Sequence, residues 1–308
     1  MSAVVVGAIS SDAWIETLFS GVALGAKYAL VALGFVVVFK ATGVINFAQA
    51  SLVLVGGYLC WNFADTWGWN FYLALVASMV GGAVLGLLLE LLILRRMSGE
   101  APFTLIMVTI GILFVIDNVV TAIWGAEGRD LPDPWGLRTY KFGEVDIPVA
   151  DVWAIGITVV VLAAFFAMFK MSTLGLAMRA SALDQEAALA QGIAPKRVYQ
   201  VAWACAGAVG AVAGVMLASG SGSLNPALGL IALVAFPAMI LGGLESPGGA
   251  VVGGIIIGLV QQLTALLAPE YFGWIGGGFE VVSPYFVMVL ILLVRPTGLF
   301  GQKEVRRV

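Results

Sequence analysis

Residues 171–197 read MSTLGLAMRASALDQEAALAQGIAPKR, a polar island between two apolar runs, 149–169 and 198–219, each long enough to cross a bilayer. Within it Leu176, Ala180, Leu183, Ala187 and Ala190 recur at steps of four, three, four and three, which draws one small-residue face along a helix. Gly192 and Pro195 close that helix. A chain that holds such a helix between spanning runs offers it to a soluble partner.

Outward from the island the chain is apolar in both directions. Hydrophobic residues make up 61% of the 308 and charged residues 11%, and the mean hydropathy is +1.04. One crossing takes about 20 apolar residues, and the candidate runs are 14–39, 47–63, 71–94, 103–123, 149–169, 198–219, 228–242, 249–268 and 280–294. The expected fold is therefore all-α: a polytopic transmembrane helical bundle of about 8–10 spans. The runs lack the short apolar–polar alternation of a membrane barrel. No linker is long enough for a second soluble domain, so residues 1–308 read as one transmembrane domain. Histidine is absent, which removes the commonest general base and metal ligand. Cys60 and Cys205 lie in apolar runs without metal spacing, so neither a metal nor a cofactor is expected on this chain. The N-terminal stretch lacks a basic region and a small-residue cleavage site, so no cleaved signal peptide is expected.

Lysine and arginine orient the bundle. Of the fifteen basic residues, Lys40, Arg95, Arg96, Lys170, Arg179, Lys196, Arg197, Arg295, Lys303, Arg306 and Arg307 fall on one side of the alternating runs. The opposite side carries 124–148, where Glu127, Asp130, Asp133, Glu144 and Asp146 outnumber Arg129, Arg138 and Lys141. The positive-inside rule puts the island and the C-terminus in the cytoplasm and 124–148 outside. With nine spans the N-terminus is outside too. Trp61, Trp67, Trp69 and Trp124 fall near the outer interface as an aromatic belt.

Small residues at four-residue spacing recur in the runs, as in Gly21/Gly25, Gly82/Gly86, Gly210/Gly214 and Gly254/Gly258, and let helix backbones approach closely. Two interruptions ask for more than packing. Gly43-Val44-Ile45-Asn46-Phe47-Ala48-Gln49 breaks the chain between the first two runs, and Gly242-Gly243-Leu244-Glu245-Ser246-Pro247-Gly248-Gly249 breaks it between the seventh and eighth. Paired, glycine-interrupted helices in two halves predict an internal duplication around a midplane pathway. Asn46, Gln49 and Ser246 at these breaks either meet a passing solute or cap freed helix ends.

The island then resembles something more particular. Glu186-Ala187-Ala188, three residues and Gly192, preceded by Arg179 and Asp184, resemble the coupling motif of ABC importer permeases. Gly21–Leu33 leading into Ile45–Gln49, the stretch Ile240–Gly254, and Arg295–Gly301 resemble the LivH-type permeases of branched-chain amino-acid importers, over nearly the whole chain. The resemblance implies a bacterial inner-membrane subunit that forms half of a translocation pathway. Its implied partners are a homologous second permease, two cytoplasmic ATPase subunits and an extracytoplasmic solute-binding protein, with no nucleic acid. The chain has no GxxxxGK[ST], so ATP would be hydrolysed on another subunit. On this reading Arg179, Asp184, Glu186, Ala187, Ala188 and Gly192 couple the chain to an ATPase, and 124–148 faces the binding protein.

Three features depart from the pattern. No Ile-x-Leu-Pro follows Gly192. Lys27 stands mid-span where such permeases carry a small or neutral residue, and Asp117 stands where a neutral Gln precedes Asn118. A charge at bilayer depth costs at least about 2.5–3.5 kcal/mol, and two of opposite sign suggest a buried Lys27–Asp117 pair, structural or lining the pathway. Glu90, one turn from Arg95 and Arg96, reads as a salt bridge at the span end. Two alternatives stay open: an ion-coupled secondary transporter using Lys27 and Asp117 as its relay, or an ABC permease for urea or short amides. An intramembrane enzyme finds no nucleophile–base pair or metal cluster to support it.

Overall fold

A long apolar run with no proline inside it forms the first helix, α1 (Ser11–Thr42), started by the Ser10 hydroxyl accepting from the Ala13 N–H and ended at Gly43, whose φ of 71° only glycine adopts at low cost. The computed structural model describes residues 9–97, 99–183, 185–220, 222–271, 273–274 and 277–301, without the side chains of Ala182, Leu183, Gln185 and Glu186. After α1 come α2 (Gln49–Trp61), α3 (Phe71–Leu92), α4 (Pro102–Trp124), a hairpin of β1 (Thr139–Phe142) and β2 (Val145–Pro148), and α5 (Val149–Met171). Then follow α6 (Thr173–Leu183), α7 (Gln185–Ala190), α8 (Pro195–Ala218), α9 (Leu228–Leu233), α10 (Phe236–Gly242), α11 (Pro247–Tyr271) and α12 (Phe279–Val294). Among the described residues six helices are long and apolar enough to cross a membrane: α1, α3 with the turn after it, α4, α5, α8 and α11. Three shorter passes complete the bundle. α2 runs on through a wider turn to Thr66, α9 and α10 share one pass broken near Val234, and α12 is the third.

α1 and α8 are the buried axis. The most extensive helix packing is α1 against α11 and α3 against α8, followed by α2 and α1 against α8. Lipid offers no hydrophobic reason for helices to associate, so close backbone approach must supply the attraction. Glycine makes that approach possible. A Cβ placed on Gly25 would lie 2.6 Å from the Ile255 Cα, and one on Gly254 would lie 2.6 Å from the Ala29 nitrogen. Gly82 and Gly207 face each other across α3 and α8 in the same way, with Gly86 against the Trp203 backbone. By contrast α3, α4 and α5 turn rows of large apolar side chains outward, among them Val80, Phe114, Val115, Val159 and Val160.

The order long axis helix, short interrupted pass, long helix, outer helix occurs twice, as α1–α2–α3–α4 and as α8–(α9, α10)–α11–α12, entered from opposite ends. Each repeat's third helix packs on the axis helix of the other. The duplication is therefore inverted, and it pairs the break at 43–48 with the turn at 219–227. The pairing expected from sequence, 43–49 with 242–249, is corrected: those two turns lie at the same end of the bundle, where Lys40 beside the first donates to the Glu245 carbonyl in the second (2.9 Å). Glycine composition alone does not report chain direction, so it matched the wrong partners. The end bearing Lys40, Arg95, Lys170, Arg179, Lys196 and Arg295 is called here the basic end.

The other, acidic end carries 124–148, which is ordered rather than a plain loop. Its strands pair antiparallel from Thr139↔Pro148 to Phe142↔Val145 around Gly143. Trp135 is buried and stacks on Trp153 (5.7 Å). Arg129 pairs its backbone with Leu224, and its guanidinium sits 4.3 Å from the Trp61 ring. The aromatic group Phe63, Trp67 and Trp69 lies on the turn after α2.

If the glycine contacts hold the axis together, Gly207→Val should cost about 1–3 kcal/mol or more through overpacking. Gly111→Ala, with open space around it, should stay within about 0.5 kcal/mol. Thermal unfolding in detergent reads both.

Candidate functional site

The break after α1 is set inside the bundle. α2 begins at Gln49, whose amide lies between two glycines of the axis helices: a Cβ on Gly34 would lie 2.6 Å from its Cδ, and one on Gly210 2.9 Å from its Nε2. Gly34 is two turns before the end of α1, so the Gln49 amide sits about 12 Å back along α1 from Thr42. Irregular backbone at that depth must find partners within the protein. The Phe47 N–H donates to the Thr109 hydroxyl (3.2 Å), the Gln49 N–H to the Asn46 carbonyl (3.2 Å), and Gln49 Nε2 to the Ala206 carbonyl (3.1 Å). Gln49 thus ties α2 to α8. Asn46 is 1% exposed, and neither atom of its amide has a hydrogen-bond partner among the described residues.

Lys27 and Asp117 do not pair, which corrects the expectation from sequence. Lys27 Nζ lies 3.1 Å from the Asp151 carboxylate, with the two side chains 12% and 15% exposed. Asp151 opens α5, so the bridge fastens α5 to α1. Asp117 instead accepts from the Ser51 hydroxyl (3.2 Å) in the first turn of α2 and faces Gly229 of α9. The N-terminal turn of a helix favours a carboxylate, which explains a charge at this depth without a lysine. Asn118, beside it, points outward and donates to the Phe114 carbonyl (2.8 Å). Sequence reasoning passed over Asp151 because it stands at the start of an apolar run, where an acidic residue reads as an ordinary helix start.

At the second break Ser246 caps α11, its hydroxyl accepting from the Gly249 N–H (3.0 Å). Gly242 and Gly249 pack backbone to backbone, Gly243 lies at a φ of 104°, and Gly248 faces open space. Glu90 is buried and bonds Arg95 at 3.4 Å, the salt bridge expected there.

The island is helical over α6 and α7, on either side of Asp184, which lies outside the described residues. Gly175, Met178, Ser181 and Ala188 are buried, whereas Leu174, Leu176 and Leu189 are exposed. Of the expected face, Leu176, Ala187 and Ala190 are exposed and Ala180 is half-buried; Asp184 and the side chains of Leu183 and Glu186 lie outside the described residues. α7 ends in a Schellman turn, with the Ile193 N–H on the Ala188 carbonyl and the Gly192 N–H on that of Leu189 (both 2.9 Å). Gly192 holds the left-handed position there, with a φ of 81°. Arg179 donates to the Phe169 carbonyl and covers its ring at 5.4 Å. Lys40 approaches the same ring at 5.9 Å and reaches the Glu245 carbonyl. One cluster thereby joins α6 to the ends of α5 and α1 and to the turn before α11.

An inverted helical repeat with one break inside the bundle and a helical segment held outward at one end fits a class, the multi-pass membrane subunit. The comparisons place the chain within it. Residues 17–294 match the family described as branched-chain amino acid transport system / permease component, and the chain belongs to that family. It is 31% identical to the high-affinity branched-chain amino acid transport system permease protein LivH of Escherichia coli (strain K12), over 96% of this chain and 98% of that protein. Identity to BraD of Pseudomonas aeruginosa, a permease protein of the same description, is 27% over 96% and 98%. The fructose import permease protein FruF of Bifidobacterium longum is 24% identical over 87% and 73%. Among solved structures, PsaBC from Streptococcus pneumoniae in complex with Fab aligns over 94% of this chain and 92% of that one, at a TM-score of 0.44 and 14% identity, too slight a likeness to argue from.

Removing one member of the Lys27–Asp151 bridge should destabilise the protein by up to about 3–5 kcal/mol. In a double-mutant cycle, Lys27→Asp with Asp151→Lys should recover part of the loss of either single change. Lys27→Asp with Asp117→Lys should recover none.

Proposed function

We propose that this chain is a permease subunit of an ATP-driven importer, forming half of the pathway for branched-chain amino acids or a closely related small solute. The observation that carries the reading is the helical segment α6–α7, held outward at the basic end by Arg179 and Phe169, in a chain that has no nucleotide-binding GxxxxGK[ST] loop of its own. The basic end is cytoplasmic by the positive-inside rule, which also puts residue 301 there and 124–148 outside. Two ATPase subunits dock on α6–α7 and its partner's equivalent, through Arg179, Ala187, Gly192 and the Asp184–Glu186 segment. A homologous permease completes the pathway, and a solute-binding protein meets the hairpin face at the acidic end. Movement of α6 passes through Phe169 and Lys40 to α1 and to the turn before α11, and the two inverted repeats rock about their breaks. Asn46, Gln49, Asp117 and Asn118 are the pathway candidates, and Gln49 also ties α2 to the axis. This chain supplies shape and coupling, and hydrolysis takes place on the ATPase.

Support for the solute class comes from the relatives. Uptake into proteoliposomes tests it directly. With the companion permease, ATPases and binding protein, labelled leucine, isoleucine or valine should accumulate only when ATP is present. Accumulation driven by a proton or sodium gradient with this chain alone would establish the ion-coupled reading instead. Uptake of urea or acetamide in place of leucine would move the solute class and leave the machine intact.

A further inference from the structure

At the acidic end, the start of β1 and the starts of α3 and α5 line a cavity of about 330 Å³. Tyr72, Trp135, Tyr140 and Trp153 give it aromatic walls. Trp135 is 2% exposed and stacked on Trp153, yet its indole Nε1 has no hydrogen-bond partner among the described residues. Arg138 lines the same cavity. Its Nε donates to the Trp135 carbonyl (3.0 Å) and its Nη2 to the Pro134 carbonyl, and among the described residues no carboxylate pairs with it. No acidic residue lines the cavity. Asp133, close by in the chain, accepts with its two carboxylate oxygens from the Gly136 and Gly220 N–H groups (2.5 and 2.8 Å).

These groups narrow the ligand. A cation is repelled by Arg138 and finds no carboxylate. A purely apolar occupant leaves the buried indole N–H unpaired, which is costly. An anion meets the guanidinium and the indole N–H together, in charge-assisted hydrogen bonds. The volume falls within the range of ligand sites, about 300–1,000 Å³, so there is room for more than an inorganic ion. Position decides between a soluble anion and a lipid. Tyr72 and Trp153 are exposed at the starts of two membrane-spanning helices, the level at which aromatic side chains meet headgroups. Their rings lie 6.2 Å apart, but α3 and α5 do not pack closely along their length. Further along, Val76 and Val80 of α3 and Val159 of α5 are exposed apolar flanks. We propose that this cavity binds the headgroup of an anionic phospholipid, the phosphate held by Arg138 and Trp135 Nε1 and the acyl chains lying along α3 and α5. A lipid seated there fastens the hairpin to the membrane surface. The proposed orientation puts it in the outer leaflet, and the site rests on that reading for its leaflet alone.

Native mass spectrometry of the full-length protein, stripped of lipid in detergent and titrated with phosphatidylglycerol or phosphatidylcholine, tests the site. The first phosphatidylglycerol should bind about fivefold more tightly than the first phosphatidylcholine. Arg138→Gln should remove that preference, and Trp135→Phe, which keeps a ring but not the N–H, should lower it about twofold. Lys141→Gln takes the same charge from the same hairpin outside the cavity, where Lys141 faces Asp146 (3.9 Å), and should leave the affinity unchanged. Excess inorganic phosphate should not displace the lipid. Equal affinity for the two lipids overturns the proposal, and that comparison uses the unaltered chain, so it holds even where a variant fails to fold. An unchanged preference in folded Arg138→Gln overturns it too, as does an equal loss in Lys141→Gln, which marks a general charge effect. Displacement by phosphate makes this a site for a soluble anion and overturns the lipid. The measurement needs no ATPase, binding protein or membrane orientation, so its failure is distinct from failure of the uptake experiment.

Discussion

Everything in this fold depends on how closely two pairs of helix backbones come together. α1 meets α11 at Gly25, Gly254 and Gly258, and α8 meets α3 at Gly82, Gly86 and Gly207. In lipid these contacts carry the association that burial of apolar surface would supply in water. They also set the topology. Because each repeat lends its third helix to the axis of the other, the two repeats cannot be pulled apart without opening both glycine seams. The interrupted passes α2 and α9–α10 then fill the space beside the axis, and their breaks fall where the axis helices leave room.

Polar groups at depth follow from that arrangement. Gln49 fits because Gly34 and Gly210 leave a gap on either side of its amide, and it uses the gap to bond the Ala206 carbonyl. Tyr28 does similar work across the other seam, donating to Gln261 of α11 (2.8 Å). Lys27 and Asp151 tie the peripheral α5 to the axis, and Asp117 settles against Ser51 at the start of α2. A bridge of this kind adds little net stability over a well-packed apolar pair, but losing one member is expensive. Its value lies in fixing which helix neighbours which.

Much of this was legible in the sequence. The run lengths and the placement of lysine and arginine gave the bundle and its two ends, because hydropathy and charge act residue by residue. The island was legible as a helical segment, and its described residues are helical on both sides of Asp184. Four-residue glycine spacing marked the seams without saying which helix fits which, since that is a property of pairs. The same limit explains the Lys27 partner: an unusual lysine advertises a partner of opposite sign, and the nearest unusual carboxylate was Asp117, whereas the real one opens a helix 124 residues away. The inverted repeat was half legible. Glycine-rich breaks were visible, but their pairing needed chain direction.

In the proposed function the helical segment α6–α7 connects this architecture to work. Its buried side reaches the membrane helices through Arg179 and Phe169, and its outward side carries Leu176 and Leu189, 58% and 55% exposed. The central claim is that force enters the chain through this outward side. Cysteine crosslinking to the ATPase subunits, with Cys60 and Cys205 replaced, measures it most directly. The account predicts crosslinks from Leu176→Cys and Leu189→Cys whose yield changes on adding ATP, and none from the buried Ala188→Cys. ATP-driven uptake that persists with neither exposed position crosslinking would contradict it.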